Sequence, residues 1–193
     1  TGVTVPVPAP VAGVLRVAPL AYYFGADIVP GARAELRLET GHTERLGSGH
    51  ELEQSVDELV ARGLVLDSLV RIGGYYSLHR TEYDALAPEL PFYPPELYEE
   101  PIHRQLLEYL EVPFSTIEPY VPRWSTSLTL RPEIGDAAAL PYSLAVLSRV
   151  RVTSDGSPRP PSDQQDGVPL TTASAVPLGA ASLPPAGREK AIA

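Results

Sequence analysis

Cysteine is absent from this chain of 193 residues, and with it go disulfides, thiolate metal sites and cysteine nucleophiles. The usual reason to infer an oxidising compartment goes too. Methionine is also absent, and with Thr1 at the start the sequence reads as a fragment or a processed chain. No apolar run reaches the roughly 18 residues that a membrane-spanning helix needs; proline, glycine or charge interrupts every candidate. The apolar opening from Gly2 to Val14 holds Pro6, Pro8 and Pro10, which exclude a signal-peptide core helix. These absences predict a cytoplasmic protein that stays outside the membrane.

Lysine occurs once, at Lys190, so arginine supplies nearly all of the 15 cations that face 24 carboxylates, for a net charge of −9. An acidic surface repels phosphate backbones and anionic headgroups, which makes nucleic acid and membrane poor partners. Arginine in place of lysine with an acid excess suits a GC-rich genome or a high-salt cytoplasm. Hydrophobic residues at 44% and charged residues at 20% are ordinary globular usage and supply a core.

The elements expected along the chain define an α+β fold of antiparallel hairpins and several short helices. Val3 to Val11 alternates with proline and reads as a lead-in arm. Ala18 to Phe24 reads as a short helix, with Pro19 in its first turn and Gly25 as a left-handed stop. Leu36 and Leu38 alternate with charged residues, and a turn at Thr40-Gly41-His42 leads to Thr43–Leu46, a β-hairpin. Ser48 and Glu51 have capping-box spacing ahead of Leu52, Val56, Leu59 and Val60, a helix that Gly63 closes. Leu64 to Arg71 then reads as a strand, Ile72-Gly73-Gly74 as a turn and Tyr75 to His79 as the returning strand, so residues 48–80 outline a winged-helix-like unit. Further helices are expected at Thr81–Leu86 and from Pro101 to Leu110, strands at Thr126–Arg131 and Arg149–Thr153, and between them a helix that Asp136 caps and Pro141 interrupts. Residues 1–154 form one domain on this reading; residues 155–193, rich in proline, serine and alanine, have linker and tail composition.

Chemistry is harder to find than structure. His42, His50, His79 and His103 do not show the spacing of a helical zinc site, although each of His42, His50 and His103 has a carboxylate close in sequence, at Glu44, Glu51 and Glu108. A small hydrolase using His50 or His103 with such an acid is one alternative. Gly47-Ser48-Gly49-His50 lacks the lysine of a phosphate loop and the third glycine of a dinucleotide fingerprint, so no cofactor is expected. Tyr75, Tyr76 and His79 beside Arg71 and Arg80 could stack on nucleic acid from a wing. The preceding helix, however, carries Glu51, Glu53, Asp57 and Glu58 where phosphate contacts would need cations. Leu90 to Tyr98 offers aromatic and proline surface at low ordering cost. The candidate binding residues are accordingly Tyr75, Tyr76, Phe92, Tyr93 and Trp124, with Trp124 and Tyr120 expected as neighbours of the Leu90–Tyr98 stretch, and the expected partner is a protein or a second copy.

Three segments, Val17 to Ala26, Leu66 to Arg71 and Leu90 to Pro95, resemble an uncharacterised family of large proteins from halophilic archaea in which a caspase-like CHAT domain lies further downstream. The resemblance spans residues 3–153 and implies an intracellular archaeal protein. It transfers no catalytic residue, because a caspase-like protease needs a cysteine. Together these readings favour a noncatalytic regulatory or protein-interaction domain of a larger protein.

Overall fold

The computed structural model describes residues 1–8, 11–75, 81–123 and 126–153. Its architecture is α+β. A mixed four-stranded sheet has the order β2-β1-β3-β4, from Val3–Val7 (β1), Asp27–Pro30 (β2), Ala34–Leu38 (β3) and Thr43–Gly47 (β4). Helix α1, Val11–Phe24, links β1 to β2 as a crossover, which makes that pair parallel; the other two pairings are antiparallel. The hairpin expected around Gly41 is β3–β4, with Leu36 opposite Glu44 and Gly41 at φ 92° in the turn.

The expected N-terminal arm is instead a central strand. Val3, Val5 and Val7 are all buried. Proline is tolerated there because the ladder with β3 ends at Thr4–Arg37, before Pro6, while β1 continues to pair with β2 through Val7. The first helix is also longer than expected. It starts at Val11, places Pro19 in its interior rather than its first turn, and is followed by Gly25 with φ 61°.

The winged-helix-like outline does not hold over Gly49–Gly74. These residues form one helix, α2, of 26 residues, so Gly63 is no stop and Leu64–Arg71 no strand. Val65, Leu66, Leu69 and Val70 continue the buried face set by Leu52, Val56, Leu59 and Val60, at helical and not strand spacing. The glycines serve close packing. A Cβ on Gly63 would lie 2.5 Å from the Phe24 ring, one on Gly73 would lie 2.9 Å from the Tyr83 hydroxyl, and one on Gly74 would run into Tyr98. Of the returning strand expected from Tyr75 to His79, Tyr75 is instead the C-cap of α2, its N–H bonded to the Arg71 carbonyl, and residues 76–79 fall outside the described residues. Ser48 does occupy the N-cap position of α2, but its side chain makes no capping hydrogen bond.

Short helices Thr81–Leu86 (α3), Pro94–Leu97 (α4), Ile102–Glu111 (α5) and Phe114–Ile117 (α6) follow, with 3-10 turns after α3 and α6. Leu86, Leu97, Leu106, Tyr109 and Ile117 from these segments are buried in the same core as β1, β3 and α2. Burial, with the Asp67 carboxylate a second cause, pushes the phenols of Tyr23 and Tyr109 well above their ordinary range.

Strands Ser127–Leu130 (β5) and Arg149–Val152 (β6) form a separate two-stranded parallel sheet, joined through a 3-10 turn at Ile134–Ala139 and helix Leu140–Ala145 (α7). Pro141 lies in the first turn of α7. Asp136 caps no helix; it accepts from the Arg131 backbone N–H at 2.9 Å and from the Arg131 guanidinium, which holds its carboxyl below the usual range. Leu130, Val150 and Val152 bury against Leu15 of α1 in a second, smaller core. Among the described residues the far edge of β6 meets side chains and no third strand. Glu53 Oε1 accepts from the Val152 N–H at 2.9 Å, Arg16 Nη2 donates to the Val152 carbonyl at 3.0 Å, and Arg151 Nη1 donates to the Val150 carbonyl at 3.0 Å.

Candidate functional site

The α4–α5 region frames two clefts, one of them together with the C-terminal end of α2. The first, of about 500 Å³, lies between the last turns of α2 and the start of α5. Tyr75 and Tyr98 form its aromatic wall, with ring centroids 6.0 Å apart, and Asp67, Arg71 and Glu99 its polar rim. Gly74 makes this possible: any side chain there would displace Tyr98. Tyr75 keeps 67% of its surface exposed.

The second cleft, of about 430 Å³, is lined by Phe92 and Tyr93, by Glu96 and Glu100 around α4, and by Arg104 and Glu108 of α5. Phe92 anchors it to the core by packing on the buried Tyr109 ring at 6.0 Å. Tyr93 remains 62% exposed. Prolines Pro91, Pro94 and Pro95 restrict the backbone that presents these rings.

Carboxylates dominate both rims. Of the two arginines, Arg71 is already engaged by Asp67 at 2.9 Å and Arg104 by Glu100 at 3.7 Å. Exposed tyrosines beside an excess of carboxylates form a surface that suits a guanidinium, which stacks on an aromatic face while donating paired hydrogen bonds to a carboxylate.

Of the five binding residues expected from sequence, Phe92 and Tyr93 therefore share one cleft and Tyr75 lies in another, and the two clefts have no lining residue in common. Tyr76 and Trp124 lie outside the described residues. Tyr120, expected as a neighbour of Leu90–Tyr98, lines instead a separate groove of about 330 Å³ against α2 and α3. Leu64, Val65, Leu69, Ile72 and Leu86 make that groove apolar, with Ser68 and Glu82 its polar members.

The histidines pair differently from their sequence neighbours. His42 stands 3.6 Å from Glu44, as its spacing suggests, but His50 meets Glu53 at 3.5 Å rather than Glu51, and His103 meets Glu39 at 3.7 Å and the Thr1 carbonyl at 3.3 Å rather than Glu108. His79 lies outside the described residues. Among the described residues no group of three or more His, Asp and Glu is placed to hold a metal ion, and no helix is long and apolar enough to cross a membrane.

Sequence reasoning missed the ionic cluster between α1, α2 and β6. Glu53, only 5% exposed, receives Arg16 Nε at 3.0 Å and the Val152 N–H on the same oxygen, while Arg151 bonds Asp57, with Arg149 3.6 Å from the same carboxylate. The hydrogen bonds to Asp57 raise the Arg151 guanidinium above its ordinary range. A usable signal was present: Glu53 and Asp57 are four residues apart, next to the apolar positions Leu52 and Val56. This cluster has a structural use already, holding β6. Comparison with protein-family models, with curated proteins and with solved structures returns no match.

Proposed function

We propose that the chain is a noncatalytic protein-interaction domain that receives an arginine-bearing segment of a partner protein on the two clefts beside α4. The observation that carries this reading is the pair of exposed tyrosines, Tyr75 and Tyr93, each set in a cleft whose rim has more carboxylates than arginines. Tyrosine gives large contact area for little lost side-chain freedom, and it is enriched at the energetic centres of interfaces. The carboxylates add selection for basic partners and speed encounter. The acidic balance of the whole chain disfavours nucleic acid on the same surface.

Fluorescence anisotropy with a labelled peptide of alternating arginine and alanine tests this, set against the same peptide with glutamate for arginine. The arginine peptide should bind, the glutamate peptide should not, and Tyr75→Ala with Tyr93→Ala should weaken binding by roughly tenfold or more at an unchanged unfolding midpoint. Equal binding of both peptides, or an affinity indifferent to the double substitution, overturns the proposal.

A further inference from the structure

Among the described residues three buried side-chain nitrogens or oxygens have no hydrogen-bond partner, and two of them, His42 Nε2 and Arg62 Nε, belong to residues that line one cleft. The nearest carboxylate oxygen to His42 Nε2, on Glu44, stands 3.6 Å away, beyond hydrogen-bond reach. Buried polar groups are nearly always satisfied, so two orphans in one place call for a missing partner. The cleft, of about 280 Å³, lies between β4, α2 and α5 and shares only Leu107 with the Phe92–Tyr93 groove.

Arg62 is held ready. It is 8% exposed, its Nη1 donates to the carbonyls of Tyr109 (3.0 Å) and Val112, its Nη2 donates to Glu58 Oε1 at 3.2 Å, and its guanidinium sits 5.9 Å from the Phe114 ring centre. Nε–H is left without an acceptor in the protein, and a carboxylate oxygen is the acceptor that a guanidinium N–H matches best. Arg45 adds a second cation to the lining.

The same lining carries Glu44, Glu58 and Glu111, three carboxylates against two arginines. A multiply charged anion such as phosphate would meet net repulsion there, whereas a ligand with both signs would not. Leu46, Leu59, Leu107 and Leu110 supply an aliphatic wall. The volume falls below the roughly 300–1,000 Å³ of drug-sized sites, which fits a small ligand.

We infer that this cleft is a binding site for a small zwitterion of the amino-acid class with an aliphatic side chain. Its carboxylate accepts from the Arg62 Nε–H, its ammonium faces the glutamates, and its side chain lies on the leucines.

Titration calorimetry of the full chain with L-leucine tests the assignment, alongside 4-methylpentanoate, which lacks the ammonium, isopentylamine, which lacks the carboxylate, and inorganic phosphate. L-leucine should bind saturably at one site, and each of the other three should bind at least roughly tenfold more weakly, as expected when a charged partner is lost. Arg62→Lys, which keeps the charge but not the Nε–H, should weaken L-leucine binding. Because Arg62 also holds backbone carbonyls, Glu111→Gln and His42→Ala provide tests at more accessible positions: both should weaken binding while the chain stays folded by circular dichroism. No saturable binding of L-leucine, phosphate binding as tightly, or unchanged affinity in both Glu111→Gln and His42→Ala overturns the inference.

Discussion

The sheet of β1 to β4 with α2 and the small sheet of β5 and β6 are held by different physics. Around the first, valines and leucines of β1, β3 and α2 join residues from α3 to α6 in one continuous apolar core. Among the described residues the second buries Leu130, Val150 and Val152 on Leu15, and adds ion pairs and side-chain hydrogen bonds along β6. Charge divides the same way: residues 1–120 carry 18 carboxylates and 8 arginines, residues 121–153 four arginines and two carboxylates. Apolar burial is non-directional and tolerates small shifts, whereas a buried ion cluster demands geometry and fails when one member is removed. The two regions should therefore answer differently to substitution.

The largest effect is expected for Glu53→Ala. Removing this carboxylate strands Arg16 and leaves the Val152 N–H without its acceptor, a loss of about 3–5 kcal/mol by analogy with other broken buried pairs. Urea titration gives the total, and amide exchange locates it: β6 should lose protection before β1 and β3. Uniform loss across both sheets would show a single cooperative unit and erase the difference between them. Gly63→Ala probes the apolar region instead. Its new methyl would press on the Phe24 ring, at a cost of about 1–3 kcal/mol, with exchange in β6 following only the global change. A neutral result would mean that α1 shifts away from α2 without penalty.

Where the sequence misled, local signals were overruled by distant contacts. Gly63 looks like a helix stop because glycine often ends helices, yet its role is to admit Phe24 from α1. Pro6 looks like the mark of an arm because proline lacks a donor, yet the strand it occupies is paired at that point on one side only. The hairpin at Gly41 and helix α5 were legible because their turn residues and apolar spacing act within a few positions. The parallel pairings and the Glu53–Val152 bond join residues far apart in the chain, and nothing local announces them. Of the candidate site, the rings of Tyr75, Phe92 and Tyr93 were visible as residue types; the cleft of Tyr75 depends on α2 meeting the start of α5, and that of Phe92 and Tyr93 on α4 meeting α5.

The smallest effect separates a sequence pattern from the interaction it suggests. Ser48 and Glu51 have the spacing of a capping box, and a formed cap of this kind contributes about 1 kcal/mol. Ser48 has the extended backbone of an N-cap residue, with φ −145° and ψ 159°, but its side chain bonds no amide of the first turn. Ser48→Ala therefore removes a hydroxyl that caps nothing, and the stability read from urea titration should change by less than about 0.5 kcal/mol, the range of surface substitutions without a specific role. A loss near that of a full cap would mean that the Ser48 hydroxyl reaches the first turn in solution, and that the start of α2 is held by the local pattern after all. A small loss would leave α2 dependent on its buried face and on Glu53, so that the long helix, like β6, owes its place to contacts far away in sequence.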